Sequence, residues 1–322
     1  MGDWHRFSCR QISWLLVAVE RCLVGGPAQP GFLGGGLMRL LVFAAAMMLP
    51  GEALLAEGRP IFDVHVHLWE GEASLQNYEE QLGAAKVEVN GLAAMWFGGP
   101  NQVAEGQVEE TRKGNDSIIS LAAKNPKMLP VATVHPYDGK AAIAELERVA
   151  KRGIKVLKIH PHTQKFDAAD PRVLALVRRA GDLGIVVLMD NANIVPADSQ
   201  NLFNLALRAP NTKFIFAHMG AMNFRFWNVL KLARTAEKLF ANNIYFDISG
   251  TVILAADSPI EEEFVWTMRN VGVEYLLLGS DHPQMSLAQN LGALDRLGLS
   301  EAEKEKIRYG NAQQLLGLEP SP

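Results

Sequence analysis

The stretch Ile61-Phe62-Asp63-Val64-His65-Val66-His67-Leu68 decides how the rest of the chain is read. It is apolar and rich in β-branched residues, the composition of a buried strand. Side chains alternate along a strand, so His65 and His67 point to one face, and Asp63 shares their parity. Two imidazoles converging from one strand end supply half of a tetrahedral or trigonal-bipyramidal metal site. An ordinary strand with a polar end would look the same. What the later strands bring to the same place decides between the two.

Outward from this stretch the pattern repeats: an apolar run, a polar loop, an amphipathic segment. Strands are expected at 61–67, 87–97, 129–135, 155–160, 185–190, 213–218, 244–248 and 274–281. Between them, 117–124 and 200–208 read as helices. So does 141–152, where Ile143, Leu146 and Val149 share one face. Asp170-Pro171 opens another as N-cap and first-turn proline, and Val173, Leu174, Val177 and Ala180 face inward. A long helix is expected near 224–240, one at 259–270 led by the acidic run Glu261-Glu262-Glu263, and two at the end, the last with a Ser300/Glu303 capping box. Eight short strands alternating with helices predict an α/β fold, a (β/α)8 TIM barrel in one domain spanning 59–322. A doubly wound open sheet is the runner-up. No glycine-rich phosphate loop follows an early strand, which weakens a nucleotide-binding reading.

Residues 1–58 read as a leader outside the barrel. Met38-Arg39 precedes a largely apolar, uncharged run at 40–49, then Pro50-Gly51-Glu52-Ala53-Leu54-Leu55-Ala56. That is the order of a signal peptide, with cleavage expected after Ala53 or Ala56. Its apolar run is too short to span a bilayer, which takes about 20 residues. The expectation is export to the periplasm or medium, with no stable membrane span in the mature chain; a disordered leader on a cytoplasmic protein is the alternative. Met38 is a candidate for the true start. The only cysteines, Cys9 and Cys22, fall in this leader, so no disulfide or thiolate chemistry is expected in the barrel. A net charge of -4 without basic blocks argues against a nucleic-acid partner. A small-molecule substrate is expected, and a homo-oligomer is left open.

In a barrel of this kind the active site lies at the carboxyl ends of the strands. Of the eight histidines, only His5 lies away from a predicted strand end. His65 and His67 end strand 1, His135 strand 3, His160 and His162 strand 4, His218 strand 6, and His282 follows Asp281 at strand 8. Asp190 ends strand 5. That clustering argues for a site. The segments Asp63-Val-His-Val-His67, Lys155-Val-Leu-Lys-Ile-His160-Pro161, Phe216-Ala-His218-Met-Gly220, Leu278-Gly-Ser-Asp281-His-Pro283 and Gly310-Asn311-Ala312 with Leu315-Leu316-Gly317-Leu318 stand in an order that resembles the amidohydrolase superfamily, in particular its amidohydrolase-related branch.

The resemblance implies a divalent metal at the barrel mouth, zinc with manganese as the alternative, and His65 and His67 as its strand-1 ligands. It implies that His218 orients or deprotonates an attacking water, or sits on the metal, and that Asp281 is both ligand and proton shuttle. Many relatives end strand 5 in a histidine; here Asp190 stands there, so Asp190 or His160 is the expected additional ligand. Lys158, on the face of His160, is a candidate substrate-binding cation, a structural ion-pair partner or, as in other branches, a carbamylated bridging lysine. Trp69, Trp96 and Phe97 are candidates for a substrate wall or for packing. His162 is a candidate ligand-orienting group, Arg225 an anion contact, and His135 is read as structural. The implied function is a metal-dependent hydrolase, a metal-activated water attacking an amide, ester or lactone carbonyl. A non-oxidative decarboxylase on the same scaffold, or a binding barrel that has lost catalysis, are the alternatives.

Overall fold

In the computed structural model, which describes residues 58–318, eight parallel strands alternate with helices: β1 Phe62–His67, β2 Gly91–Met95, β3 Met128–Thr133, β4 Val156–Ile159, β5 Val186–Met189, β6 Phe214–Phe216, β7 Ile244–Asp247 and β8 Leu276–Leu277. They form one sheet in sequence order. Every residue of β1, β2, β4, β5, β6 and β8 is buried, as expected of strands covered on both faces. The sheet nearly closes into a barrel. Val64 N–H donates to the Leu278 carbonyl (3.0 Å), Asp281 N–H to that of His65 (2.8 Å) and His67 N–H to that of His282 (2.8 Å). The leader, its apolar run, Met38 and both cysteines lie outside the described residues, apart from Gly58. Among the described residues no helix is long and apolar enough to cross a membrane.

One core fills the space between strands and helices, including Leu157, Val177, Phe216 and Leu294. A second, smaller one joins Val64, Val156, Val186, Leu188, Ile215 and Leu277 to the C-terminal helix through Ala312 and Leu315. Local chemistry sets several boundaries. The helix Pro171–Asp182 begins where the Asp170 carboxylate accepts Arg172 N–H (2.8 Å). The Ser300/Glu303 capping box forms, and Glu261, Glu262 and Glu263 occupy a helix first turn.

Four expectations need correction. β8 is not a strand over 274–281 but a two-residue segment. Val273–Tyr275 is a 3-10 turn, and Asp281 is left-handed (φ 59°), which ends any extended run. The long helix near 224–240 is instead a 3-10 segment Ala217–Asn228 and a short helix Val229–Ala233. His218 to Ala221, just ahead of the expected helix, have positive φ, and so does Lys238 within it (φ 60°), which an α-helix excludes. The helix expected at 117–124 begins earlier, at Val108, where Glu109 and Glu110 take its first turn. Asp63 does not share the face of the two histidines. The β1 register slips between Asp63 and Val66, and Asp63 accepts from Tyr78 of the surrounding helix Glu72–Ala85 (2.9 Å).

A polar tie joins β2 to β3 beneath the helices. Asn115, on the helix Val108–Ala122, is fully buried. It donates to the Thr133 carbonyl and to Glu145 (both 2.9 Å) and accepts from Thr133 N–H (3.0 Å) and the Trp96 indole (3.1 Å). Asn115→Leu keeps the volume but strands these partners away from water. It is expected to cost about 3 kcal/mol of unfolding free energy, the penalty of leaving buried polar groups unpaired. Urea denaturation at unchanged slope measures it, and a loss below about 1 kcal/mol would show that the tie is slack.

Candidate metal centre

β1 and the turn after β8 are neighbours, and both end in donors. His65 Nε2 and His67 Nε2 lie 3.1 Å apart. Asp281 Oδ1 lies 3.4 Å from the first and 3.3 Å from the second. The far side of each ring is occupied. His67 Nδ1 sits 2.5 Å from the Phe97 carbonyl, which can only accept, so that nitrogen carries the proton. His65 Nδ1 sits 2.7 Å from Asp247 Oδ2, an acceptor that also takes Ser249 O–H (2.8 Å). Both Nε2 atoms are therefore bare lone pairs.

Two lone pairs and a carboxylate oxygen thus face one another, with the Lys158 ammonium as a donor to His65 Nε2 alone. That arrangement is repulsive unless a cation sits against it. Zinc–ligand bonds of about 2.0–2.2 Å at tetrahedral to right angles put neighbouring donors roughly 3.0–3.5 Å apart. The observed triangle, 3.1 to 3.4 Å on a side, meets that condition, so the residues fit a divalent cation. One built-in charge is already close: Lys158 Nζ, fully buried, lies 3.1 Å from His65 Nε2.

His218 approaches from the opposite side. Its ring is 5.4 Å from that of His65, centre to centre. The ligand atoms of His65, His218 and Asp281 all lie within 4.8 Å of one another, so His218 is within reach of the same ion. The run of positive φ from His218 to Ala221 turns the chain sharply at the end of β6 and holds the imidazole over the barrel mouth. Its Nδ1 faces the Ser249 carbonyl and hydroxyl, both at 3.1 Å; its Nε2 faces Asp190 Oδ1 (3.4 Å) and Asp281 Oδ2 (3.9 Å).

The electrostatics sort these groups. Burial pushes His65 well below the usual histidine value, helped by the positive charge of Lys158. Burial would lower His218 too, but its bond to Asp190 and the charges of Asp190 and Asp281 outweigh it and raise the imidazole to about 9. Burial opposes ionisation of Asp281, yet His65, His67 and His218, in their protonated forms, hold it down to about 2. For Asp190 the same balance falls further towards the ionised form, through His218, His160 and Lys158. Burial lowers Lys158, against the pull of Asp190, Asp281 and Asp247.

The remaining candidates fall into place differently. His160 reaches Asp190 (3.6 Å) rather than the triangle, and burial lowers it to about 4. Asp190 thus stands between His160 and His218. His162 pairs with Asp198 (2.7 Å) and orients none of the three triangle donors. His135 bonds the Gln164 carbonyl and Tyr137 N–H, a structural role. Arg225 is not an anion contact at the cluster: Glu263 neutralises its guanidinium (2.7 and 2.5 Å), and it stacks on Phe224. Trp69 packs 6.3 Å from His67, its indole N–H buried without a partner. Together with Trp96 it lines a cavity of about 400 Å³ that none of the triangle donors borders, while Phe97 is fully buried. Sequence reasoning missed Asp247, although it lies one residue before the end of the predicted strand 244–248.

A family model described as amidohydrolase matches residues 62–318. No curated protein matches the sequence. Among solved structures, 5-carboxyvanillate decarboxylase from Sphingomonas paucimobilis aligns with a TM-score of 0.63 at 17% identity, covering 81% of this chain and 100% of that one. Dihydroxybenzoic acid decarboxylase from Polaromonas, with bound manganese and the inhibitor 2-nitroresorcinol, aligns at 0.58 and 18%, covering 82% and 98%. A TIM-barrel protein from Bordetella bronchiseptica aligns at 0.62 and 16%, covering 80% and 98%. At these identities the likeness is one of fold.

Proposed function

Because the chain belongs to the amidohydrolase family, we propose that it is a metal-dependent enzyme for a small organic acid, and that non-oxidative decarboxylation is the reaction its site serves best. His65, His67 and Asp281 would hold the ion. When bound, a divalent ion supplies Lewis-acid polarisation of a substrate oxygen. Manganese in the Polaromonas decarboxylase makes it as good a candidate as zinc.

The observation that carries the reading is His218. Losing CO2 breaks a carbon–carbon bond, leaves its electron pair on the retained carbon, and takes up one proton there. Asp190 and Asp281 favour the protonated form of His218, whose Nδ1 is engaged by Ser249 and whose Nε2 turns to the cluster between the two carboxylates. A positioned imidazolium of that kind is a proton donor. Lys158, among Asp190, Asp281 and Asp247, offsets the negative charge that these carboxylates and an anionic substrate bring together. The neighbours named as decarboxylases support the same reaction class.

Hydrolysis is the second reading, favoured by Asp281. It stays ionised beside the triangle and could accept a proton from an attacking water. Protein dialysed against manganese or zinc, then incubated with hydroxylated aromatic carboxylates in D2O, decides between them. Release of CO2 with one deuterium on the ring is expected. Cleavage of esters, lactones or amides without CO2 would install the hydrolase instead. Neither activity in fully loaded protein would overturn both.

A further inference from the structure

We propose that Asp247 is a positioning residue shared by the two histidines of the site, fixing His65 directly and His218 through Ser249. Asp247 closes β7 and is fully buried. Its Oδ2 accepts the Nδ1 proton of His65 (2.7 Å) and the Ser249 hydroxyl proton (2.8 Å). With that proton given to Asp247, Ser249 Oγ offers its lone pair to His218 Nδ1 at 3.1 Å. Donors therefore run inward from both rings to one carboxylate: His218 to Ser249 to Asp247, and His65 to Asp247. Both imidazoles are left with Nδ1 protonated and Nε2 turned to the cluster.

The carboxylate is itself held still. Its Oδ1 takes Ser249 N–H (2.7 Å). Gly279, at the end of β8, passes so close that a Cβ there would overlap Asp247 Oδ1 and lie 2.8 Å from its Cγ. Burial raises the Asp247 carboxyl, a cost that the hydrogen bonds from Ser249 offset in part. Histidine ligands commonly rest their second nitrogen on a carboxylate, and removing it typically costs about 10–100-fold in metal affinity. Here the same carboxylate also reaches the ring assigned as proton donor, so the metal seat and the donor share one reference point.

The inference rests on the metal seat proposed above, and the test separates the two. Protein with 15N-labelled histidine is compared as wild type, Asp247→Asn and Ser249→Ala, by imidazole NMR and by competition for Mn2+ and Zn2+ against a chromophoric chelator. Asp247→Asn should lose the downfield Nδ1–H signal of His65 and bind either ion about 10–100-fold more weakly. Ser249→Ala should shift the His218 signals while the downfield Nδ1–H signal of His65 persists. A folded Asp247→Asn with the wild-type His65 signal and affinity would overturn the proposal. So would a Ser249→Ala that leaves His218 unmoved, and that variant decides alone if Asp247→Asn does not fold. Wild-type protein that takes up neither ion would sink the metal seat, while the two resonances would still judge the relay.

Discussion

His218→Gln, saturated with metal, is expected to turn over its substrate about 10²–10⁴-fold more slowly than wild type, the usual worth of a positioned proton donor. Glutamine keeps a polar group near Ser249 and Asp190 but carries no transferable proton. His67→Ala is expected to fail for a different reason. It removes one corner of a triangle whose other corners are His65 Nε2 and Asp281 Oδ1, 3.1 and 3.3 Å away. Ion affinity should fall, and excess metal should restore part of the activity. Excess metal should do nothing for His218→Gln. Elemental analysis of both variants beside their rates gives the comparison. If His218→Gln also comes out stripped of metal, His218 belongs to the ligand set, as its place within 4.8 Å of His65 and Asp281 permits. If it is loaded and as fast as wild type, the proton comes from elsewhere, and Asp281→Asn becomes the variant to measure.

Gly98→Ala should damage the site from behind. Gly98 has φ 107°, a conformation that costs any L side chain, and it lies directly behind His67. An added Cβ would stand 2.7 Å from His67 Nδ1, 2.9 Å from Cε1 and 3.4 Å from the Trp69 indole nitrogen. Neither ring has room to retreat, because His67 Nδ1 is tied to the Phe97 carbonyl and Trp69 is pressed against Gly99. Backbone strain of about 1–2 kcal/mol and overpacking of about 1–3 kcal/mol together predict a loss of about 2–5 kcal/mol in unfolding free energy. Pushing the ring also moves Nε2 out of the triangle, so ion affinity should fall with stability. Urea melts and chelator competition measure the two effects. A variant as stable as wild type would mean that the loop yields, and that His67 is not held from behind.

The fold and half of the site were readable because they rest on local pattern. Apolar runs at regular spacing announce buried strands, and each such strand ends near the same rim; the family resemblance then singled out His65, His67, His218 and Asp281 among the polar residues gathered there. What escaped depends on distance or on backbone twist. The partner of His65 Nδ1 stands 182 positions away, and nothing beside Asp247 marks it out from other acidic residues. The consecutive positive φ values at 218–221, between the expected strand 213–218 and the expected helix 224–240, have only Gly220 as a local sign. Arg225 looked like a free cation because Glu263, which neutralises it, lies 38 residues further on. The slip in β1 between Asp63 and Val66 has no signature in an alternating stretch, which is why Asp63 seemed to face the wrong way.

The strands that carry the triangle are the first and the last to be made. His65 and His67 lie on β1, and Asp281 follows β8, where the Ser280 hydroxyl bonds back to the His65 carbonyl across 215 positions. The three donors meet only when the ends of the barrel meet, so no partly folded chain with its seam open owns the complete set. An ion held by all three donors would join the two lips of that seam like a clasp, across the longest loop in the fold. Full three-donor occupancy would therefore also report that the whole barrel has formed.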